Sequence, residues 1–148
     1  MDVTDALLGE HGVFHLLVEQ LDDTLGRCES VTELRVAAEP LVISLLGHHR
    51  VEEESLLAPY ERATGSLGPL TCLRHEHEQM NQLARLIFRA TEPDRMREGI
   101  QMLLEIVRRH LVREEQLLFG LARQTLPDGA RADSGSHWAQ FRGVTLPE

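Results

Sequence analysis

The chain reads as an all-α protein: an antiparallel up-down-up-down four-helix bundle with an internal helix-pair repeat, the first and second helices matching the third and fourth. Three observations carry that reading. Apolar residues recur at helical spacing through most of the chain. The helical stretches, roughly five to eight turns long, are joined by short connections rich in breakers. Two kinds of polar motif also return once each, at offsets of 61 to 66 residues.

The first helix is expected from about Thr4 to Gly26, with Leu7, His11, Phe14, Val18, Leu21 and Leu25 on one stripe. A turn follows at Cys28–Thr32, where Thr32 with Glu33 marks a helix start. The second helix extends to about Arg62, and Pro40 is expected to kink it or to set its first two turns apart. The strongest breaker is Thr64-Gly65-Ser66-Leu67-Gly68-Pro69. Pro69 suits the first turn of the third helix, which runs to about Ala90. Thr91-Glu92-Pro93-Asp94 repeats the pattern before a fourth helix ending near Gln124. Residues 1–126 thus form the bundle. Residues 127–148, rich in Gly, Ser, Asp and Pro, form a tail, either irregular or pinned loosely across the bundle by Trp138 and Phe141.

A chain of 148 residues with 42% hydrophobic and 4% aromatic residues suits one Leu-rich helical domain better than a sheet sandwich. A net charge of −9 argues against nucleic acid or an anionic membrane as partner. All fifteen basic residues are Arg, so Schiff-base chemistry through Lys is excluded. Cys28 and Cys72 stand far apart outside any C-x-x-C pattern, no apolar run has the length of a membrane span, and the N-terminus is acidic. A soluble, cytoplasmic protein is expected.

The chemistry lies in the repeated motifs. His49-Arg50-Val51-Glu52-Glu53-Glu54-Ser55-Leu56-Leu57 returns 61 positions later as His110-Leu111-Val112-Arg113-Glu114-Glu115-Gln116-Leu117-Leu118, both reading H-x-x-x-E-E-x-L-L. Residues four apart share a helix face, so each copy aims an imidazole and a carboxylate at one place. Two such pairs suit a transition metal, above all two metals bridged by the carboxylates. A second motif, L-x-x-E-H, places His11 in the first helix and His77 in the third. At 1.5 Å per residue, His11 and His77 lie roughly 12 Å into their helices, and Glu53 and Glu114 roughly 14 Å from the ends of theirs. His49 and His110 lie one turn deeper than these carboxylates, so all six groups fall in one slab. A lone polar residue on an apolar stripe is usually satisfied by a neighbour. Six in register call for compensating charge, which a metal supplies.

Taken together in this order, the L-x-x-E-H and H-x-x-x-E-E-x-L-L motifs resemble the hemerythrin-like (HHE cation-binding) domain, over about Leu7 to Leu121. The resemblance implies a four-helix bundle holding two Fe ions, a non-haem di-iron centre with an oxo or hydroxo bridge, zinc being the second choice of metal. Glu53 and Glu114 match its bridging carboxylates, and His11, His49, His77 and His110 its histidine ligands. Oxygen-carrying members place a fifth histidine four residues after the third-helix ligand, where this chain has Asn81. His15, four residues after His11, is either the displaced fifth ligand or a boundary histidine facing solvent. His48, His75 and His137 are expected at the surface or behind the ligands. Tyr60 is expected in the core, and Glu54 or Glu115 could support ligand N–H groups.

The function this implies is binding of, or reaction with, O2, a peroxide or nitric oxide, with enzyme and carrier roles both open. The alternative is an iron- or oxygen-responsive sensor or interaction module acting through a separate, unidentified protein partner. The chain has no Glu-x-x-His, which disfavours a ferritin-like oxidase, and no His-Glu-x-x-His, which excludes the commonest zinc-protease helix.

Overall fold

A computed structural model describes residues 1–146, all of whose regular structure is helical. The helix α1 spans Val3–Leu25, α2 Val31–Glu52, α3 Ala58–Thr64, α4 Thr71–Arg89, α5 Pro93–Arg113, α6 Phe119–Thr125 and α7 Asp128–Arg142. One π-turn, Glu53–Leu57, joins α2 to α3 and another, Glu114–Leu118, joins α5 to α6. Each pair is thus one long rod with a widened turn near its middle. Such turns are rare and are frequently found at functional sites. A single 3-10 turn, Gly68–Leu70, leads into α4.

Local chemistry explains most boundaries. Asp2 caps α1 by accepting from the Thr4 N–H at 2.9 Å. The start of α2 is a capping box between Ser30 and Glu33, two residues earlier than Thr32 would place it. Gly65 closes α3 with a φ of 82°, a left-handed conformation that favours glycine. Pro40 neither breaks α2 nor sets its first turns apart. It lies on the exposed face, where water can take the carbonyl that loses its donor.

The α1 helix packs on α2 and α5, α4 packs on α5 and α2, and α7 lies across α1 and the first π-turn. The core is divided. One apolar cluster gathers Phe14, Val18, Leu21, Leu41, Leu45, Met80, Ile87, Leu103 and Val107. The other gathers Leu7, Val51, Leu56, Leu57, Tyr60, Leu73, Leu118 and Phe119. Between them, in sequence and in space, sit His11, His48, His49, Glu52, His77, His110 and Glu114, all buried. Among the described residues, no helix is long and apolar enough to cross a membrane.

The burial pattern corresponds between rods with little drift. Leu7, Phe14 and Leu21 in α1 answer to Leu73, Met80 and Ile87 in α4, 66 positions on. Leu34, Ala38, Leu41 and Leu45 in α2 answer to Met96, Ile100, Leu103 and Val107 in α5, 62 positions on. The second offset exceeds by one the spacing of the identical H-x-x-x-E-E-x-L-L strings.

Most of the tail expected to be irregular or loose is the helix α7; its last two residues, 147–148, lie outside the described residues. Few of its residues are buried, so contacts rather than an apolar stripe hold it. Arg131 donates from Nε to Asp2 at 2.6 Å. Gly135 lets the helix meet the N-terminus, because a Cβ there would collide with the Met1 carbonyl. Burial alone would raise the Asp2 pKa, but Arg131 and Thr4 outweigh it and hold the carboxyl below its ordinary 3.8.

Asp2→Ala removes the α1 cap and an anchor of α7, and is expected to lower the unfolding free energy by about 1–2 kcal/mol near neutral pH. Because the folded pKa is depressed, this contribution is present above the unfolded value of 3.8 and lost as pH falls through the lower folded value. Urea unfolding of both proteins at pH 7 and pH 3 measures it, and the gap should narrow at the lower pH.

Candidate metal centre

The polar layer is built by four helices. His11 comes from α1, His48, His49 and Glu52 from the last turn of α2, His77 from α4, and His110 with Glu114 from the junction of α5 and its π-turn. Three sets of donor atoms converge, each with all its atoms within 4.8 Å of one another. One is His11, His48 and Glu114. Another is His49, His77 and His110, and the third is Glu52, His77, His110 and Glu114. Glu114 joins the first set to the last.

The sites expected from the sequence fare unequally. His11, His49, His77, His110 and Glu114 are brought together. Glu53 is not: it turns outward and forms a two-pronged pair with Arg74, whose Nε lies 3.2 Å from Glu53 Oε2. Glu52 takes the buried place instead. His15 also stays outside, about half exposed, with Nε2 2.9 Å from Glu115 Oε1. His48, expected behind the ligands or at the surface, is fully buried in the layer. The cause is register. Two adjacent His and three adjacent Glu allow two H-x-x-x-E readings, and the buried stripe of α2 selects His48–Glu52, which lies 62 positions before His110–Glu114. The stripe carried that signal: a 61-residue offset sets Leu34 against Arg95, whereas 62 sets it against Met96. His49 then has no counterpart, since the matching position is Leu111.

The outer nitrogens of two imidazoles are held in matching fashion. Glu10 accepts from His48 Nδ1 at 2.6 Å, and Glu76 accepts from His110 Nδ1 at 3.0 Å. These are the glutamates of the two L-x-x-E-H motifs. A carboxylate on the far nitrogen fixes the tautomer and turns the near nitrogen inward as a ligand. Glu115 does the same for His11 Nδ1 at 3.0 Å, as the sequence allowed. Glu54 reaches Arg50 and His137 at the surface instead. Tyr60 lies in the core, His75 is exposed, and Asn81 borders a surface groove.

The inward side is unsatisfied. His11 Nε2, His48 Nε2, both nitrogens of His49 and both oxygens of Glu52 and of Glu114 are buried without hydrogen-bond partners; apart from Ser55 Oγ, no other described side-chain atom is. His110 Nε2 is 2.8 Å and His11 Nε2 is 3.1 Å from a Glu114 oxygen, close but without hydrogen-bond alignment. Each orphaned buried polar group costs on the order of 1–3 kcal/mol, more when charged, so a fold gathering several must recover that energy from something they hold together. Nitrogen and carboxylate oxygen donors, convergent and supported from behind, fit divalent or trivalent transition metals.

Electrostatics agree. Burial would lower the His48 pKa, but Glu10 and Glu52 raise it to about 9. Burial likewise opposes charge on His110, yet Glu114 and Glu76 raise it to about 10. The carboxylates thus draw positive charge into the layer. His49 runs the other way: burial and then the neighbouring histidines hold its pKa well below 6.5, leaving a neutral ring with one nitrogen lone pair free. Burial would raise the Glu114 pKa, but His110, His11 and His77 hold it well below the ordinary value, as an anion.

Approach from outside is narrow. A surface groove of about 250 Å³, lined in part by Arg74, Glu78 and Asn81, reaches His49 and His77. A separate small cavity among Val42, Leu45, Leu46, Met80, Ala84 and Leu103 ends on His49. It has room for about one water-sized molecule, and its apolar walls offer such a molecule no hydrogen bonds.

Glu52→Gln is expected to lower the metal bound per chain, and Glu53→Gln to leave it unchanged while costing under about 1 kcal/mol through the exposed pair with Arg74. Metal analysis of the two purified variants separates the registers; equal retention in both would contradict a role for Glu52.

No curated protein and no solved structure matches the chain. A family model does, over residues 2–122, spanning α1 to α6 and leaving α7 beyond it. The chain belongs to the family described as the hemerythrin HHE cation-binding domain.

Proposed function

We propose that this protein is a non-haem di-iron protein that binds or reacts with O2, a peroxide or nitric oxide. The orphaned inward-facing atoms of His11, His48, His49, Glu52 and Glu114 are the observation that carries it. On this reading α1, α2 with α3, α4, and α5 with α6 form an antiparallel up-down-up-down bundle, the first two rods repeating the last two. The corresponding buried positions support that arrangement, and the donor sets would lie across its pseudo-twofold axis.

His11 and His48 would hold one metal and His77 and His110 the other, with Glu52 and Glu114 available to offset the charge of both. His49 adds a histidine to the second set only, so it is the fifth histidine in place of His15. With two histidines against three, the His11–His48 position would leave more room for a small ligand. A pair of irons held here supplies one-electron and two-electron chemistry toward dioxygen, peroxide or nitric oxide.

The protein's own contribution is placement and exclusion. Glu10, Glu76 and Glu115 hold the rings of His48, His110 and His11 from behind. The apolar clusters on either side keep bulk water from the layer. Glu52 and Glu114 supply the negative charge that offsets two cations in a region where an unpaired charge is costly. The narrow apolar cavity lined in part by His49 borders the histidine-rich set and has room for only a small molecule.

Anaerobic loading with Fe(II) followed by air is expected to leave about two irons per chain and near-ultraviolet oxo-to-iron charge-transfer bands. Saturating metal should also raise the unfolding free energy, by about 2.7 kcal/mol per site when free metal is a hundredfold above its Kd. Tight binding of zinc alone, with no visible absorption after iron loading, would overturn the di-iron reading and leave a metal site without redox chemistry.

A further inference from the structure

The two L-x-x-E-H glutamates do the same work but are anchored differently. Glu76 is held by Arg113 and by Arg109, whose Nε lies 3.4 Å away. Both arginines belong to α5, the rod that carries His110 itself. At the positions 62 residues earlier, α2 has Val51 and Gly47 instead. The half containing His48 therefore lacks both cations in its own rod.

The α7 helix supplies one cation and one neutral N–H donor from outside. Arg142 donates two parallel hydrogen bonds to Glu10, Nε to Oε1 at 2.6 Å and Nη2 to Oε2 at 2.8 Å. Trp138 adds its indole N–H to Oε1 at 2.8 Å. The guanidinium crosses α2 at Gly47, where a Cβ would lie 3.3 Å from Arg142 Nη1. Arg142 thus occupies ground that an arginine of α2 would take if this half resembled the other. Two-pronged Arg–carboxylate pairs fix orientation as well as charge, so Glu10 is locked by α7 and His48 is locked by Glu10.

We propose that α7, which lies beyond the segment matched by the family, is a strap that completes one of the two metal positions. Arg142 and Trp138 are positioning residues: they orient Glu10 and through it His48, so the His11–His48–Glu114 position depends on α7 while the His49–His77–His110 position does not. This rests on the two-metal reading above. Loss of a partner behind a ligating histidine typically costs about 10- to 100-fold in metal affinity. The loss here should fall on one metal alone, which also makes undocking of α7 a way to release one ion and retain the other.

The test is Co(II) titration of the full-length apoprotein under anaerobic conditions, following visible absorption and metal count. The wild-type chain should take about two Co(II). Arg142→Ala should hold one as tightly as the wild type and the other more weakly, by up to the roughly 10- to 100-fold that loss of Glu10 itself would cost. Its spectrum at one equivalent should match that of His48→Ala and differ from that of His77→Ala. Adding Gly47→Arg to Arg142→Ala returns a guanidinium to Glu10 from the position matching Arg109, and should restore the second Co(II), which a merely structural role for Arg142 would not do. If Arg142→Ala fails to fold, Trp138→Phe, which keeps the ring and removes the N–H donor, should show the same one-sided weakening. Wild-type affinity for both ions, or equal weakening of both, overturns the strap and leaves the two-metal reading standing. Fewer than two Co(II) in the wild-type chain overturns both.

Discussion

Two carboxylates buried in the centre of the protein set the terms for the rest of the structure. Glu52 and Glu114 are fully removed from water, and their oxygens have no hydrogen-bond donors aligned on them. An uncompensated buried charge is too costly to keep, so everything around them supplies positive charge or the means to hold it. Four imidazoles, those of His11, His48, His77 and His110, converge on one or both of them. His49 packs against two of these rings, and three of the four are fixed from behind by further glutamates. Arginines at the surface then anchor two of these glutamates in turn. Order therefore runs inward, from solvent-facing guanidinium to carboxylate to imidazole to the central space.

The same constraint explains the divided core. A polar layer between two apolar clusters would weaken a bundle held by packing alone. Binding to the folded state converts that weakness into coupling between ligand and stability. The π-turns lie at this level in both rods, and the extra residue in each widened turn changes which side chains face inward below and above it. Departures from twofold similarity are also concentrated here: His49 against Leu111, and an anchor from α7 where the other half has its own arginines. A centre built from near-repeated motifs thereby acquires two unequal halves.

The helices were legible in the sequence because period, breakers and caps agreed, and so was the level at which the polar groups meet. The residue choice within α2 was less so. His48-His49 and Glu52-Glu53-Glu54 satisfy the four-residue spacing twice, and the identical strings favour the register that the buried stripe rejects. String identity records what is similar, whereas burial records which way a side chain points; here they differ by one residue, about 100° on a helix. Glu10 and Glu76 were visible as motif letters without a role, because a carboxylate adjacent to a ligand in sequence faces away from it on its own helix and acts on the neighbouring one. The α7 helix was hidden by its composition. Its Gly, Ser and Asp content reads as a tail, and its fixed seat comes from the Met1 backbone against Gly135, the Arg131 and Arg142 pairs and the Trp138 indole on Glu10.

The central claim is that the unpartnered inward atoms are a site for two cations. Anomalous diffraction at the iron edge from crystals of the iron-loaded protein tests it most directly. Two peaks are expected in the layer between the apolar clusters, one against His11 and His48 and the other against His49, His77 and His110, with Glu52 and Glu114 between them. A single peak, or iron only at surface carboxylates, would contradict it.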